Sequence, residues 1–348
     1  MNLFQKYLAE EFAEDYQEGR ISRREALRLI VSVTGSTVVA NAILAACTPR
    51  AEGTTEGAPS PIPNTGNQVP TGAPTEAAAQ VTATLEASPT IRATTGDTPQ
   101  ASTPASGSAP SGTVSPDDPS VTAGPVTFPG QDGAELFGYQ SVPNGGGSFP
   151  VVLVCHENRG LTPHIEDVTR RLAKAGYTAL AVDLLSRQGG IRNFTSNDVP
   201  GALGNIDPDQ FVQDFRSGWQ YLQTQDFAQA EKVGMVGFCF GGGVTWRMAT
   251  RMPELLAAVP YYGPHPPLED VPNIQAAVLA IYGGLDTRIN QGIPAIEEAM
   301  RANNKIYEKR IYEGADHAFH NDTGPRYVPE AARDAWAQTL AWFGQYLV

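Results

Sequence analysis

Cysteine, basic residues and aromatics are all scarce in this chain. The three cysteines in 348 residues, Cys47, Cys155 and Cys239, are too few and too far apart for a disulfide framework or for the paired spacing of a zinc site. Lysine and arginine number 24 against 37 acidic residues, a formal charge of −13. No basic patch stands out that could neutralise phosphates, which argues against nucleic-acid binding. Aromatics make up 8% of the chain and are missing altogether from residues 48–124, as are Cys, Met and His. That stretch is mostly Pro, Gly, Ser, Thr and Ala, has almost nothing to bury, and is expected to be a disordered tether. Residues 125–348 hold every Trp and every His, enough for one compact domain with a sizeable core.

The first 47 residues read as an export signal and not as fold. Ser22-Arg23-Arg24-Glu25-Ala26-Leu27-Arg28 stands directly before Leu29–Ala46, a run without a charge, too short and too diluted by Thr34, Gly35, Ser36, Thr37 and Asn41 for a spanning helix. Leu44-Ala45-Ala46-Cys47 resembles the lipobox of bacterial lipoproteins, which makes Cys47 the expected lipidation site. The arginine pair resembles the twin-arginine export signal, although Ala26 stands where a bulky apolar residue is usual, so the ordinary secretory route stays open. On this reading the mature chain begins at Cys47 and is lipid-anchored to the cell envelope, touching membrane through its acyl chains only.

From residue 125 the pattern alternates between strand and helix. Strands are expected at Leu136–Val142, Val151–Cys155, Tyr177–Val182, Lys232–Phe238, Leu256–Tyr261, Ala277–Tyr282 and Ile306–Ile311. Helices are expected from Thr162-Pro163 to Gly176, over Pro208–Thr224 and Gly242–Arg251, and from Pro329 to Tyr346. The order implies an α/β fold, a mostly parallel central sheet with helices on both faces.

Gly237-Phe238-Cys239-Phe240-Gly241 sits where a buried strand gives way to a helix, the setting of a nucleophile elbow. A turn that sharp needs flanking residues without side chains, and it puts Cys239 at a helix N-terminus that favours the thiolate. An acid and then a histidine should follow, each past the end of a later strand. Asp286 follows Gly283-Gly284-Leu285, and His317 follows Gly314-Ala315-Asp316. His320 and Asp316 compete for these roles. His317 is preferred because it follows its strand directly, Asp286 because neighbours in a loop seldom reach each other's side chains.

On these residues the domain resembles the dienelactone hydrolases, a branch of the α/β-hydrolases with a cysteine nucleophile. The resemblance covers residues 125–348 and implies further roles. Glu157, after Val151-Val152-Leu153-Val154-Cys155-His156, matches the glutamate that contacts the cysteine and takes its proton. The backbone N–H groups of Phe240 and Asn158 match the oxyanion hole. The expected activity is hydrolysis of a small ester or lactone through an acyl-enzyme on Cys239, with no cofactor and no metal. Members of the family hold a substrate carboxylate with arginines, one of them a few residues after the histidine, where this chain has His320-Asn321-Asp322-Thr323. Arg159 and Arg326 are the nearest replacements, and a preference for uncharged substrates is expected. The rivals are a non-catalytic binding lipoprotein of the same fold and a thiol redox role for Cys239; pairing of Cys155 with Cys239 and the oligomeric state are left open.

Overall fold

The computed structural model describes residues 1–47 and 112–348. Its centre is one eight-stranded sheet: β1 Val121–Pro129, β2 Glu135–Pro143, β3 Phe149–Cys155, β4 Thr178–Val182, β5 Ala228–Phe238, β6 Ala257–Tyr261, β7 Ala277–Gly283 and β8 Tyr307–Tyr312. The strand order is β1-β2-β4-β3-β5-β6-β7-β8. β2 pairs antiparallel with both β1 and β4, and every later pairing is parallel. Strands covered on both faces should be apolar throughout, and β4, β6 and β7 are buried at every position.

The body's helices are α4 Pro163–Lys174, α5 Val199–Gly204, α6 Pro208–Leu222, α7 Phe240–Arg251, α8 Thr287–Asn290, α9 Ile293–Ala302 and α10 Pro329–Tyr346. Proline stands at the first or second position of α4, α6 and α10, where a missing N–H costs no hydrogen bond. The parallel, helix-covered sheet has the expected fold class.

Two expectations change at the N-terminal side. The tether was given as residues 48–124. Its first part, 48–111, lies outside the described residues, but residues 112–124 belong to the body. Val121 opens β1, and Val114 is buried against Ala173 while its N–H donates to Asp167 Oδ1 at 2.6 Å.

Residues 1–47, expected to lie outside the fold, form three helices on the body: α1 Leu3–Gln17, α2 Arg23–Thr34 and α3 Thr37–Ala46. Asn2 and Gln5 make a reciprocal capping box at the start of α1, satisfying N–H groups that a helix start leaves free. Phe4, Leu8 and Phe12 recur at a spacing of four, one helical face, and all three are buried. Phe4 meets Phe211 of α6 and Phe240 of α7 at ring-centroid distances of 5.4 and 5.0 Å. Ser22 caps α2 by accepting from the Glu25 N–H at 3.2 Å, so the serine before the arginine pair works as a helix start. Ala26, Leu29, Ile30 and Val33 of α2 join the same core.

Candidate active site

Cys239 sits in the turn between β5 and α7 with φ 58° and ψ −122°, a conformation that costs a non-glycine residue about 1–3 kcal/mol and persists only where its surroundings enforce it. The flanking glycines are part of that enforcement. A Cβ on Gly237 would lie 2.2 Å from the Gly241 carbonyl oxygen, and one on Gly241 would lie 2.4 Å from that of His156. The turn thus closes against the end of β3, and no alanine fits at either glycine.

β7 delivers Asp286, which caps the short α8 by accepting the Ile289 N–H at 3.1 Å on Oδ1. Its Oδ2 accepts from His317 Nδ1 at 2.6 Å, so one carboxylate is fixed by the backbone and fixes the imidazole. Asp286, His317 and Cys239 are all buried. Burial alone would drive the imidazole toward its neutral form, but the Asp286 carboxylate and the facing Sγ outweigh it and hold His317 well above its ordinary pKa. Burial likewise works against the Asp286 charge, and the His317 ring overcomes it, leaving that carboxyl below its usual range. The Cys239 thiol is pushed up, by burial first and by the Glu11 carboxylate second, with His317 partly offsetting both.

The competing residues have other work. His320 stacks on Phe238 with centroids 5.0 Å apart, and burial, with the charges of His164 and Arg171, lowers its pKa to about 3, so it stays neutral. Asp316 turns to its own backbone, accepting the His317 N–H at 2.7 Å, and to Arg20 at 2.6 Å. Asp322 is tied to His164 at 3.0 Å and to Arg171 and does not line the cavity at Cys239. Cys155 ends β3 beside Gly237; it and Cys239 are free thiols, so the pairing left open in the sequence is not made.

A cavity of about 290 Å³ opens at Cys239, lined among others by Cys239, His317, Glu157, Asn158, Arg159 and Arg326. Of the residues expected at the site, these six line one space, while Asp286 reaches it through His317. Asn158 follows β3 and Phe240 opens α7, and among the described residues neither backbone N–H is engaged by a protein acceptor.

The expected contact of Glu157 with the thiol is the exception. Glu157 is buried, and its Oε2 accepts from Asn321 Nδ2 at 2.8 Å. The carboxylate within reach of Sγ is instead Glu11 of α1, at 3.6 and 3.7 Å, which also accepts from Asn158 Nδ2 at 3.1 Å. Tyr7, one turn earlier on α1, donates its hydroxyl to Sγ at 3.2 Å and lies 3.3 Å from His317 Nε2. Arg288 anchors this end of α1, bonding Glu14 at 2.9 Å and stacking its guanidinium 4.7 Å from the Tyr7 ring. Both residues escaped the sequence reading because the segment was set aside as a signal. Their spacing of four, which puts two polar groups on the buried side of one helix, was the available clue.

A strained cysteine at a strand-to-helix turn, backed by an ordered acid and histidine on later strands of a mostly parallel sheet, defines an α/β-hydrolase. Known proteins narrow the class. The dienelactone hydrolase family matches residues 136–347. A putative carboxymethylenebutenolidase of Methylorubrum extorquens is 36% identical over 251 residues, 67% of this chain and 84% of that protein. Its counterpart in Escherichia coli K12 is 34% identical over 249 residues, 66% and 89% of the two chains. The crystal structure of a putative dienelactone hydrolase from Klebsiella pneumoniae superposes with a TM-score of 0.61 at 32% identity, covering 65% of this chain and 99% of that one. The chain belongs to the dienelactone hydrolase family and is a hydrolase of carboxylic esters.

Proposed function

We propose that this chain hydrolyses small esters or lactones through a thioester acyl-enzyme on Cys239. The observation that carries the reading is the buried Asp286–His317 pair, 2.6 Å long, set beside a cysteine held in a strained turn. Sγ gives its proton to the imidazole and attacks the carbonyl carbon. The developing oxyanion is received by the N–H groups of Phe240 and Asn158, and the departing alkoxide takes the proton from His317. In the second half His317 accepts a proton from water, the hydroxide adds to the thioester, and the sulfur leaves and recovers the proton. Glu157, expected as the thiol's base, takes no step in this scheme, since its Oε2 is held by Asn321 at 2.8 Å.

Substrate charge is argued from the cavity wall. Arg159 donates to the Ser196 carbonyl at 3.1 Å. Arg326 makes no hydrogen bond or ion pair among the described residues, yet Glu11 and Asp15 line the same cavity and their charges help keep its pKa raised against the effect of burial. The cation is already compensated, which favours uncharged esters and lactones over a carboxylate-bearing dienelactone. The test is a panel of p-nitrophenyl acetate, an uncharged lactone and dienelactone, run beside Cys239→Ala. Equal turnover by the variant would sink the nucleophile assignment, and a strong preference for dienelactone would sink the charge argument.

A second reading concerns location. Leu44-Ala45-Ala46-Cys47 closes α3, and Cys47 is partly exposed where the described N-terminal residues end. Among the described residues no helix is long and apolar enough to cross a membrane. We propose lipidation at Cys47 as the anchor, by either export route; failure of a labelled fatty acid to enter the protein in growing cells, or its entry into Cys47→Ala, would overturn this.

A further inference from the structure

We propose that Tyr7, brought in by the N-terminal helix α1, is a catalytic residue that carries the proton between Cys239 Sγ and His317 Nε2. The inference deepens the hydrolase reading and rests on Cys239 being its nucleophile.

Sγ, Nε2 and a Glu11 carboxylate oxygen lie within 4.8 Å of one another, and the Tyr7 hydroxyl stands between the first two at 3.2 and 3.3 Å. A hydroxyl has one proton to give and two lone pairs to receive with, which suits both states of the pair. With a neutral imidazole and a protonated thiol, the Tyr7 proton turns from Sγ, which it faces in this structure, to Nε2, and the S–H turns from Glu11 to Oη. When the S–H bond breaks, its proton passes to Oη while the phenol's own proton passes to Nε2. The thiolate then accepts from Tyr7, and the imidazolium donates to it. One proton has moved from sulfur to nitrogen, the phenol is neutral before and after, and no electron pair is left without a partner. Reversal of the same shift returns the proton when the acyl group departs.

The surroundings suit a relay that never ionises. Burial, and after it the charges of Cys239 and Glu11, hold the Tyr7 phenol well above its ordinary pKa, so it does not lose its proton outright. Arg288 faces it from α8, Glu11 from its own helix and Cys239 from the turn before α7. Position is fixed from both ends: Phe4 is locked into the Phe211–Phe240 aromatic cluster, and Glu14 is bonded to Arg288. Glu11 has the opposing part. Its carboxylate lies 3.6 and 3.7 Å from Sγ, and its charge there disfavours the thiolate.

The test uses the full chain with Tyr7→Phe and Glu11→Gln, each followed in two ways: turnover of p-nitrophenyl acetate, and the pH dependence of iodoacetamide alkylation mapped to Cys239 by mass spectrometry. Tyr7→Phe is expected to lower kcat by roughly 10²- to 10⁴-fold with KM held, the range for a lost proton-transfer group, and to move the alkylation curve to higher pH. Glu11→Gln is expected to move that curve to lower pH. A merely structural role would alter the melting temperature and leave the curve in place. An unchanged or raised kcat in Tyr7→Phe, or an unmoved curve, overturns the proposal, and should Tyr7→Phe not fold, a curve unmoved by Glu11→Gln does so. If the wild type turned over no ester at all, the hydrolase reading would fall, while the alkylation curves would still decide the role of Tyr7.

Discussion

Replacing Phe4 by alanine asks whether residues 1–47 belong to the folded protein. The side chain is fully buried and is held between two rings, edge-on to Phe211 at 5.4 Å and tilted against Phe240 at 5.0 Å. Cutting it back to a methyl group removes most of a phenylalanine's buried surface and leaves a cavity whose walls, α6 and α7, are pinned by the sheet and collapse little. Phe→Ala changes of this kind cost about 3–5 kcal/mol. For a chain of this size each kcal/mol moves the midpoint by about 2–3 °C, which puts the expected loss at roughly 6–15 °C. The assay is a thermal melt of the full chain followed by circular dichroism, with Val38→Ala as the control. Val38 is 78% exposed on α3, and its truncation should shift the midpoint by no more than about 1 °C. A Phe4→Ala protein that melts with the wild type would refute the packing of α1, and with it the place given to Tyr7.

Two further outcomes follow from the site and its surroundings. Asp286→Asn presents an amide to His317 Nδ1, favours the tautomer whose Nε2 is protonated, and so takes away the acceptor for the thiol proton; kcat on p-nitrophenyl acetate should fall by about 10³- to 10⁴-fold with the melting point little changed, and a loss under about tenfold would contradict the role of the pair. The Asp322 carboxyl is held well below its usual range, chiefly by the His164 hydrogen bond and then, against burial, by Arg171. A depressed carboxylate stabilises the fold above the unfolded-state pKa near ~3.9 and loses that contribution as pH falls through the folded value. Asp322→Asn should therefore lower the melting point at pH 7 and narrow the gap to the wild type in acid; parallel melting curves from pH 7 to pH 2 would contradict this.

The body was legible because its signals are local and repeated. Buried parallel strands announce themselves as runs such as Val151–Cys155 and Ala277–Tyr282, and the elbow at Cys239 needs its two glycines for steric reasons that survive any context. Pro329–Tyr346 came out at its observed boundaries because a proline starts it. β1 was missed: Val121–Pro129 carries two prolines and a glycine, features of an edge strand, and this strand is an edge. α9 at Ile293–Ala302 was also passed over, lost between two strongly marked strands. Asp286 and His317 are singled out by order along the chain, and the structure sets them 2.6 Å apart. The Glu11 contact was not, because it pairs residues 228 positions apart and only the fold brings them together.

In the N-terminal segment two patterns overlap, and the packing of α1 on the body follows from the second of them. An uncharged run behind paired arginines satisfies the description of a signal, but a signal's first region is positively charged, and this one holds Glu10, Glu11, Glu14, Asp15 and Glu18. Acidic residues alternating with Phe4, Tyr7, Leu8 and Phe12 at helical spacing are what an amphipathic helix needs to cover a protein surface. Twelve apolar residues of the first 47 end up in the main core, so a cut ahead of Cys47 would leave α1 to α3 held by packing alone. If Cys47 is processed and Tyr7 carries the proton as proposed, processing and catalysis are coupled through α1. A chain cut at Cys47 that retains α1 keeps the relay between sulfur and imidazole, whereas one that sheds it exposes Cys239 and leaves the thiol proton to pass to His317 directly.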